Sequence, residues 1–248
     1  MIGTFINVVT ILVGGAFGMA FGSRLPERVR QTVVAGLGLF VLAIGLQMFL
    51  KTQNSIIVLV SLLIGGLLGE WWRIEDRLKG IGVFFERHFA RTSSSDETAG
   101  EDDYAQPAKT SRFVRGFLTA SLVFCIGPMA ILGSIQDGLT GDYKTLAIKA
   151  ILDGFASLAF ASSLGVGVLF SSVIILVYQG GITLLAAQAH ALFSEAMINE
   201  LTATGGVLLL AIAISSLLEI KPIRAGSFLP ALLISPLIVA LLHALKLQ

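Results

Sequence analysis

The chain has 248 residues, 55% of them hydrophobic and only 13% charged, with a mean hydropathy of +0.86. That profile lies far from an ordinary soluble domain and marks an integral membrane protein. A formal net charge of +1, spread over separate loops, gives no basis for nucleic-acid binding, and the single Cys125 excludes an internal disulfide framework and a cysteine zinc site.

Runs of roughly 17 to 25 mainly apolar residues suffice to cross about 30 Å of hydrocarbon. Such runs cover residues 3–22, 31–50, 55–72, 113–134, 145–164, 166–187, 196–218 and 228–245. The fifth and sixth are one long apolar stretch, divided at Gly165 and Gly167. No Lys or Arg precedes the first, and arginines follow it, so it reads as a retained span rather than a signal peptide. The expected fold is all-α: a polytopic membrane protein of about eight transmembrane helices forming a single membrane domain over residues 1–248.

Between the third and fourth spans, residues 74–112 are expected to form a cytoplasmic segment in two parts. Ile74, Leu78, Ile81, Phe85 and Phe89 recur every three or four positions among charges, which predicts an amphipathic helix lying on the membrane surface, anchored by Trp71 and Trp72. Residues 92–110 are rich in Ser, Asp and Glu and read as an acidic flexible linker.

Lysines and arginines favour cytoplasmic loops. With the N-terminus outside, Arg24, Arg28 and Arg30, the basic residues from Arg73 to Arg115, and Lys221 and Arg224 all fall inside, whereas Lys51, Lys144 and Lys246 fall outside. Eight crossings with both termini outside follow.

An inverted repeat is suggested by Ala35, Gly38, Leu42, Ala43 and Ile44 in span two, which recur at identical spacing as Ala203, Gly206, Leu210, Ala211 and Ile212 in span seven. The offset of five spans would give spans one to three and six to eight opposite orientations.

Lys149 and Asp153 stand one helical turn apart in span five, which holds no other charge. Each ionised group near a span's centre costs about 2.5 to 3.5 kcal/mol on insertion scales, so the pair demands partners, water or a role. Lys149 is near enough to the outer end to snorkel, while Asp153 approaches the midplane. The plain alternative is an ion pair that pins span five to its neighbours.

Further polar residues gather in the outer half: Asn7 in span one; Gln136, Asp137 and Asp142 after span four, which Gly127-Pro128 should break; Gln179 in span six; Asn199, Glu200 and Thr202 in span seven. Together they suggest an outward-facing polar vestibule reaching toward Asp153. Oxygen-rich groups suit a bound hard cation better than a soft metal, and no cofactor is implied. No nucleophilic triad, phosphate loop or zincin-type helix is present, so an enzyme is not expected. Gly14, Gly18 and Gly22 are spaced for close helix contact, within the chain or in a homo-oligomer.

The segments Gly3–Asn7, Leu25–Arg28, Gly138–Asp142, Lys149–Asp153 and Leu229–Leu233 resemble the bacterial membrane proteins grouped as domain-of-unknown-function family 554. That resemblance implies a multi-pass protein of the bacterial inner membrane, with the lipid bilayer as its partner, and brings no substrate. From the residues, the leading expectation is a small-solute or ion transporter or channel with Asp153 as its ion or proton site and Lys149 as charge partner. The alternative is a non-transporting scaffold or regulatory subunit.

Overall fold

A computed structural model describes residues 1–22, 26–89, 112–188 and 193–245. The acidic linker, Arg24, His190 and Lys246 lie outside the described residues. The described elements are helical: α1 (Ile2–Gly22), α2 (Glu27–Phe49), α3 (Ser55–Trp71), α4 (Ile74–Phe89), α5 (Arg112–Cys125), α6 (Pro128–Thr140), α7 (Lys144–Leu164), α8 (Gly167–Leu184), α9 (Glu195–Ile212) and α10 (Ala231–Ala244). A π-helical turn, Ala213–Leu217, extends α9, and a 3-10 turn, Ala225–Phe228, leads into α10.

Among the described residues, six helical stretches are long and apolar enough to cross a membrane, and up to eight if each of two bent pairs is one span. The bent pairs are α3 with α4, at 59°, and α5 with α6, at 61°. Gly127-Pro128 causes the second bend: Pro128 lacks an amide hydrogen to donate back into α5, and its ring is suited to the first position of the next helix.

Close contacts reveal how the helices run. Along α1 the glycines 3, 14, 18 and 22 meet Leu146, Gly154, Leu158 and Ser162 in that order, so α1 and α7 are parallel. A Cβ on Gly14 would stand 2.1 Å from the Gly154 carbonyl oxygen, so only glycine permits this approach. The Ser157 hydroxyl donates across the same seam to the Ile11 carbonyl at 2.8 Å. Gly167 meets Phe113 and Gly138 meets Thr183, which sets α5 and α6 together alongside α8 for its whole length. The broken pair therefore traverses the bundle once. Gly45 meets Gly206 while Gly38 meets Leu218, making α2 and α9 antiparallel, and Gly65 and Gly69 meet Ala231 and Ser227, making α3 and α10 antiparallel.

These directions divide the bundle into two ends. The first holds the start of α1, the α2–α3 loop, the α6–α7 loop and the start of α9. The second holds the start of α5, the α7–α8 turn and residues 218–227. Described basic residues crowd the second end: Arg28, Arg73, Arg77, Lys79, Arg112, Arg115, Lys221 and Arg224, against Lys51 and Lys144 at the first. Arg112 donates to the Ser163 carbonyl at 3.1 Å, satisfying an acceptor near the end of α7, and Arg115 pairs with Glu219.

The core centres on α9, whose Leu208, Leu209 and Ile212 pack with Ile11, Phe124 and Phe160. Large apolar residues such as Leu67, Phe155 and Val177 stay 70–75% exposed, which suits contact with lipid tails. The stripe on α4 departs from expectation, because much of it faces protein. Gly82 abuts Val114, Phe85 lies between Phe117 and Phe170, and Glu75 accepts the Gly226 amide at 2.8 Å. Helix α4 thus covers α5 and α8 at the basic end.

Candidate functional site

Asp153 lies on the buried face of α7 and Asn7 on the buried face of α1, brought together by the glycine seam. The Asn7 side-chain amide donates to Asp153 Oδ2 at 3.0 Å and to Gln179 Oε1 of α8 at 3.2 Å. Lys149 donates to the same Asp153 oxygen. Asn7 and Gln179 are fully buried, and Lys149 and Asp153 are 6% and 8% exposed. Three helices therefore hold one ion pair and two amides away from solvent.

Lys149 does not snorkel as its depth suggested. Its ammonium turns back toward Asp153, which offsets charge within the bundle, where water at the helix end would otherwise have to do so. The result is a site of zero net charge.

Several atoms at this level have no hydrogen-bond partner among the described residues: Asn7 Oδ1, Gln179 Nε2, Thr4 Oγ1 and Thr183 Oγ1. Thr4 and Asn7 are one turn apart on α1, as are Gln179 and Thr183 on α8. Each such buried orphan costs about 1–3 kcal/mol, so together they mark a locale kept polar against stability.

Asp137, on α6, is buried nearer the first end and accepts the Gly3 amide at 3.1 Å, with the Met1 amino group also at 3.1 Å. Its other oxygen has no partner among the described residues. The other expected site residues do not join the cluster. Gln136 is exposed and accepts from the Thr145 hydroxyl at 2.8 Å, and exposed Asp142 caps the Lys144 amide at 3.1 Å. Asn199 is half-buried, and Thr202 is buried with its hydroxyl unpartnered among the described residues.

Glu200 has a different task. It is 2% exposed, takes the Thr52 hydroxyl at 2.6 Å and accepts the Gln53 and Asn54 amides at 2.8 and 3.1 Å, fastening the α2–α3 loop. Span seven thus sends its carboxylate to a loop rather than toward Asp153. The outward vestibule is also not open here, since the polar cluster is packed shut. Thr4 and Thr183 escaped the sequence reading, although Thr4-x2-Asn7 and Gln179-x3-Thr183 are helical spacings that would have placed them on the same faces.

A cavity of about 220 Å³, lined by none of the cluster's residues, lies between α4, α5, α8 and residues 229–232. Leu78 and Ile81 of α4, Phe117 and Cys125 of α5, Tyr178 of α8 and Leu232 of α10 help to line it. It runs along one face of α5 and ends at the break beside Cys125.

Across residues 2–240 the chain matches the family described as "Protein of unknown function (DUF554)". It is 30% identical to the uncharacterized membrane protein YdfK of Bacillus subtilis (strain 168), with all of both chains covered. It is 32% identical to the uncharacterized protein YqgA of Escherichia coli (strain K12), over 95% of this chain and 94% of that one. No solved structure matches the chain. With its helices, its lipid-facing apolar surface and this full-length likeness, the chain belongs to the DUF554 family and is a multi-pass helical membrane protein.

Proposed function

We propose that the protein is a transporter of the bacterial inner membrane, with Asp153 as its proton-binding group and Lys149 as the counter-charge. The observation that carries this reading is the buried Lys149–Asp153 pair, shared by three helices and surrounded by unpartnered polar atoms. Ionisable groups kept inside a membrane bundle mark ion or proton pathways. A metal cation is the weaker choice of ion, because Lys149 already occupies the carboxylate and a second cation would leave an uncompensated positive charge.

In this reading the basic second end faces the cytoplasm and the first end faces outward. An inverted repeat fits the helix pairing: α1 on α7 has its counterpart in α8 on α5 and α6, while α2–α9 and α3–α10 each pair within themselves. The closed cluster is one state of such a device, and the glycine seam and the α5–α6 break are places where it opens.

The test is proton uptake by liposomes containing the purified protein and an internal pH dye, with a pool of small organic acids, amino acids and sugars outside. Asp153→Asn should reduce uptake at least about tenfold while the protein stays folded. Undiminished uptake removes the assigned role. A non-transporting scaffold, for which the pair is a structural pin, predicts no uptake by either form.

A further inference from the structure

The cavity beside α4 has a shape of its own, apart from the ion pair. The α5 residues that line it share one face, from Phe117 through Ser121 to Cys125, and that run spans about 12 Å at the helical rise. Ile174 and Tyr178, one turn apart on α8, lie along it too, and Leu229 and Leu232 add a further wall. The space is therefore a slot running along α5 and α8, and its volume of about 220 Å³ exceeds the roughly 150 Å³ that takes up benzene in an engineered cavity. Ser121 and Tyr178 bring the only hydroxyls to the lining, and the remaining residues apart from Cys125 are apolar. A sugar or an ionised solute finds too few partners there, whereas a hydrocarbon chain needs none.

Helix α4 stands at the mouth. Leu78 and Ile81 line the slot one turn apart, and Ile81 is 42% exposed, so the apolar lining reaches the surface of the molecule at this helix. One turn before Ile81, Arg77 is exposed and has no carboxylate partner among the described residues. The basic groups around it are already matched: Arg73 with Asp76 at 2.9 Å, Lys79 with Glu75 at 3.4 Å and Arg224 with Glu70 at 3.0 Å. A free guanidinium beside an apolar mouth, at the end of the bundle where basic residues crowd, complements a phosphate joined to a hydrocarbon chain.

We propose that the protein holds one anionic phospholipid of the leaflet at its basic end, with an acyl chain in the slot along α5 and the phosphate on Arg77. The bilayer itself supplies the occupant, and the site is independent of the proton role of Asp153. A chain in the slot touches α4, α5, α8 and α10 together, so bound lipid stabilises the packing of α4 on the bundle.

Cys125 is the sole cysteine and lies at the deep end of the slot, where it reports on a chain that reaches it. The full chain, purified in detergent and stripped of lipid, is treated with N-ethylmaleimide with and without dioleoyl phosphatidylglycerol, and its thermal midpoint is read alongside. Phosphatidylglycerol should slow modification at least about fivefold and raise the midpoint, dioleoyl phosphatidylcholine should slow it less than about twofold, and glycerol phosphate should do nothing. Arg77→Gln should reduce phosphatidylglycerol to the phosphatidylcholine level. Arg73→Gln, which removes an equal charge that already has a partner, should leave the difference intact. Ser121→Leu, which narrows the slot one turn before Cys125, should remove protection by both lipids relative to its own lipid-free rate. A native mass spectrum gives a second reading, in which one phosphatidylglycerol should remain bound where phosphatidylcholine is lost. Equal protection by the two lipids, an equal effect of the two arginine variants, or protection by glycerol phosphate would each overturn the proposal. Phosphatidylglycerol that leaves Cys125 unprotected overturns it too, even where the lipid stays bound, because the chain then lies elsewhere.

Discussion

Asn7 and Asp153 are 146 residues apart in sequence, yet the Asn7 side-chain amide donates to the Asp153 carboxylate at 3.0 Å inside the bundle. The same amide nitrogen also donates to Gln179 Oε1, so Asn7 ties α1 to both α7 and α8. Replacing it by alanine strands the Gln179 carbonyl and leaves Asp153 with Lys149. Asn7→Ala should destabilise the protein by about 1–2 kcal/mol, read as a lower thermal midpoint in detergent. An unchanged midpoint would show that these bonds carry no net weight.

The ion pair invites a double-mutant cycle. Lys149→Met abandons a buried carboxylate and should cost about 3–5 kcal/mol if that carboxylate stays charged. Combining it with Asp153→Leu should recover most of the loss, since two apolar residues need no partner. The double variant should nevertheless take up no protons in liposomes. A stable double variant with full uptake would mean that the pair only pins helices.

Glycines offer a contrast between two substitutions of identical chemistry. Gly14→Ala drives a methyl group into the Gly154 carbonyl and must part α1 from α7, whereas nothing lies within 4 Å of a Cβ on Gly36. Gly36→Ala should be neutral or stabilising by up to about 1 kcal/mol through helix propensity, while Gly14→Ala should be destabilising by several-fold more. Thermal midpoints of the two variants, measured together, check this.

Glu200 supplies a prediction away from the ion pair. Glu200→Leu removes the carboxylate that accepts from the Thr52 hydroxyl and the Gln53 and Asn54 amides, so the Gln53 amide should exchange with solvent deuterium at least about tenfold faster, and the Asn54 amide, which also donates to Thr52 Oγ1, by less. Glu200→Gln retains one oxygen and should be milder. Proton uptake at matched amounts of folded protein should be unaffected in the Gln variant.

Much of this architecture was legible in the residues. Length and hydropathy located the spans, the arginines separated two ends, and Gly127-Pro128 announced the break within span four. Lys149 and Asp153 share a helix face by spacing alone. The destination of Glu200 was not legible: a carboxylate at the start of an apolar helix looks solvated until a loop 146 to 148 residues earlier in the chain closes over it. The apolar stripe of α4 does not say whether lipid or protein will cover it.

The sequence by itself determined how many apolar segments the chain has, their order, and the depth of each polar residue along its helix, because these depend only on position in the chain. Tertiary structure alone decided which polar residues meet. Lipid tails and protein interior are nearly equally apolar, so a span's pattern hardly distinguishes its two faces, and rotation is set by contact instead. The approach of α1 to α7 across Gly14 and Gly154 turns Asn7 toward Asp153, and α8 then brings Gln179. A solitary pair of charges in span five thereby becomes a three-helix site.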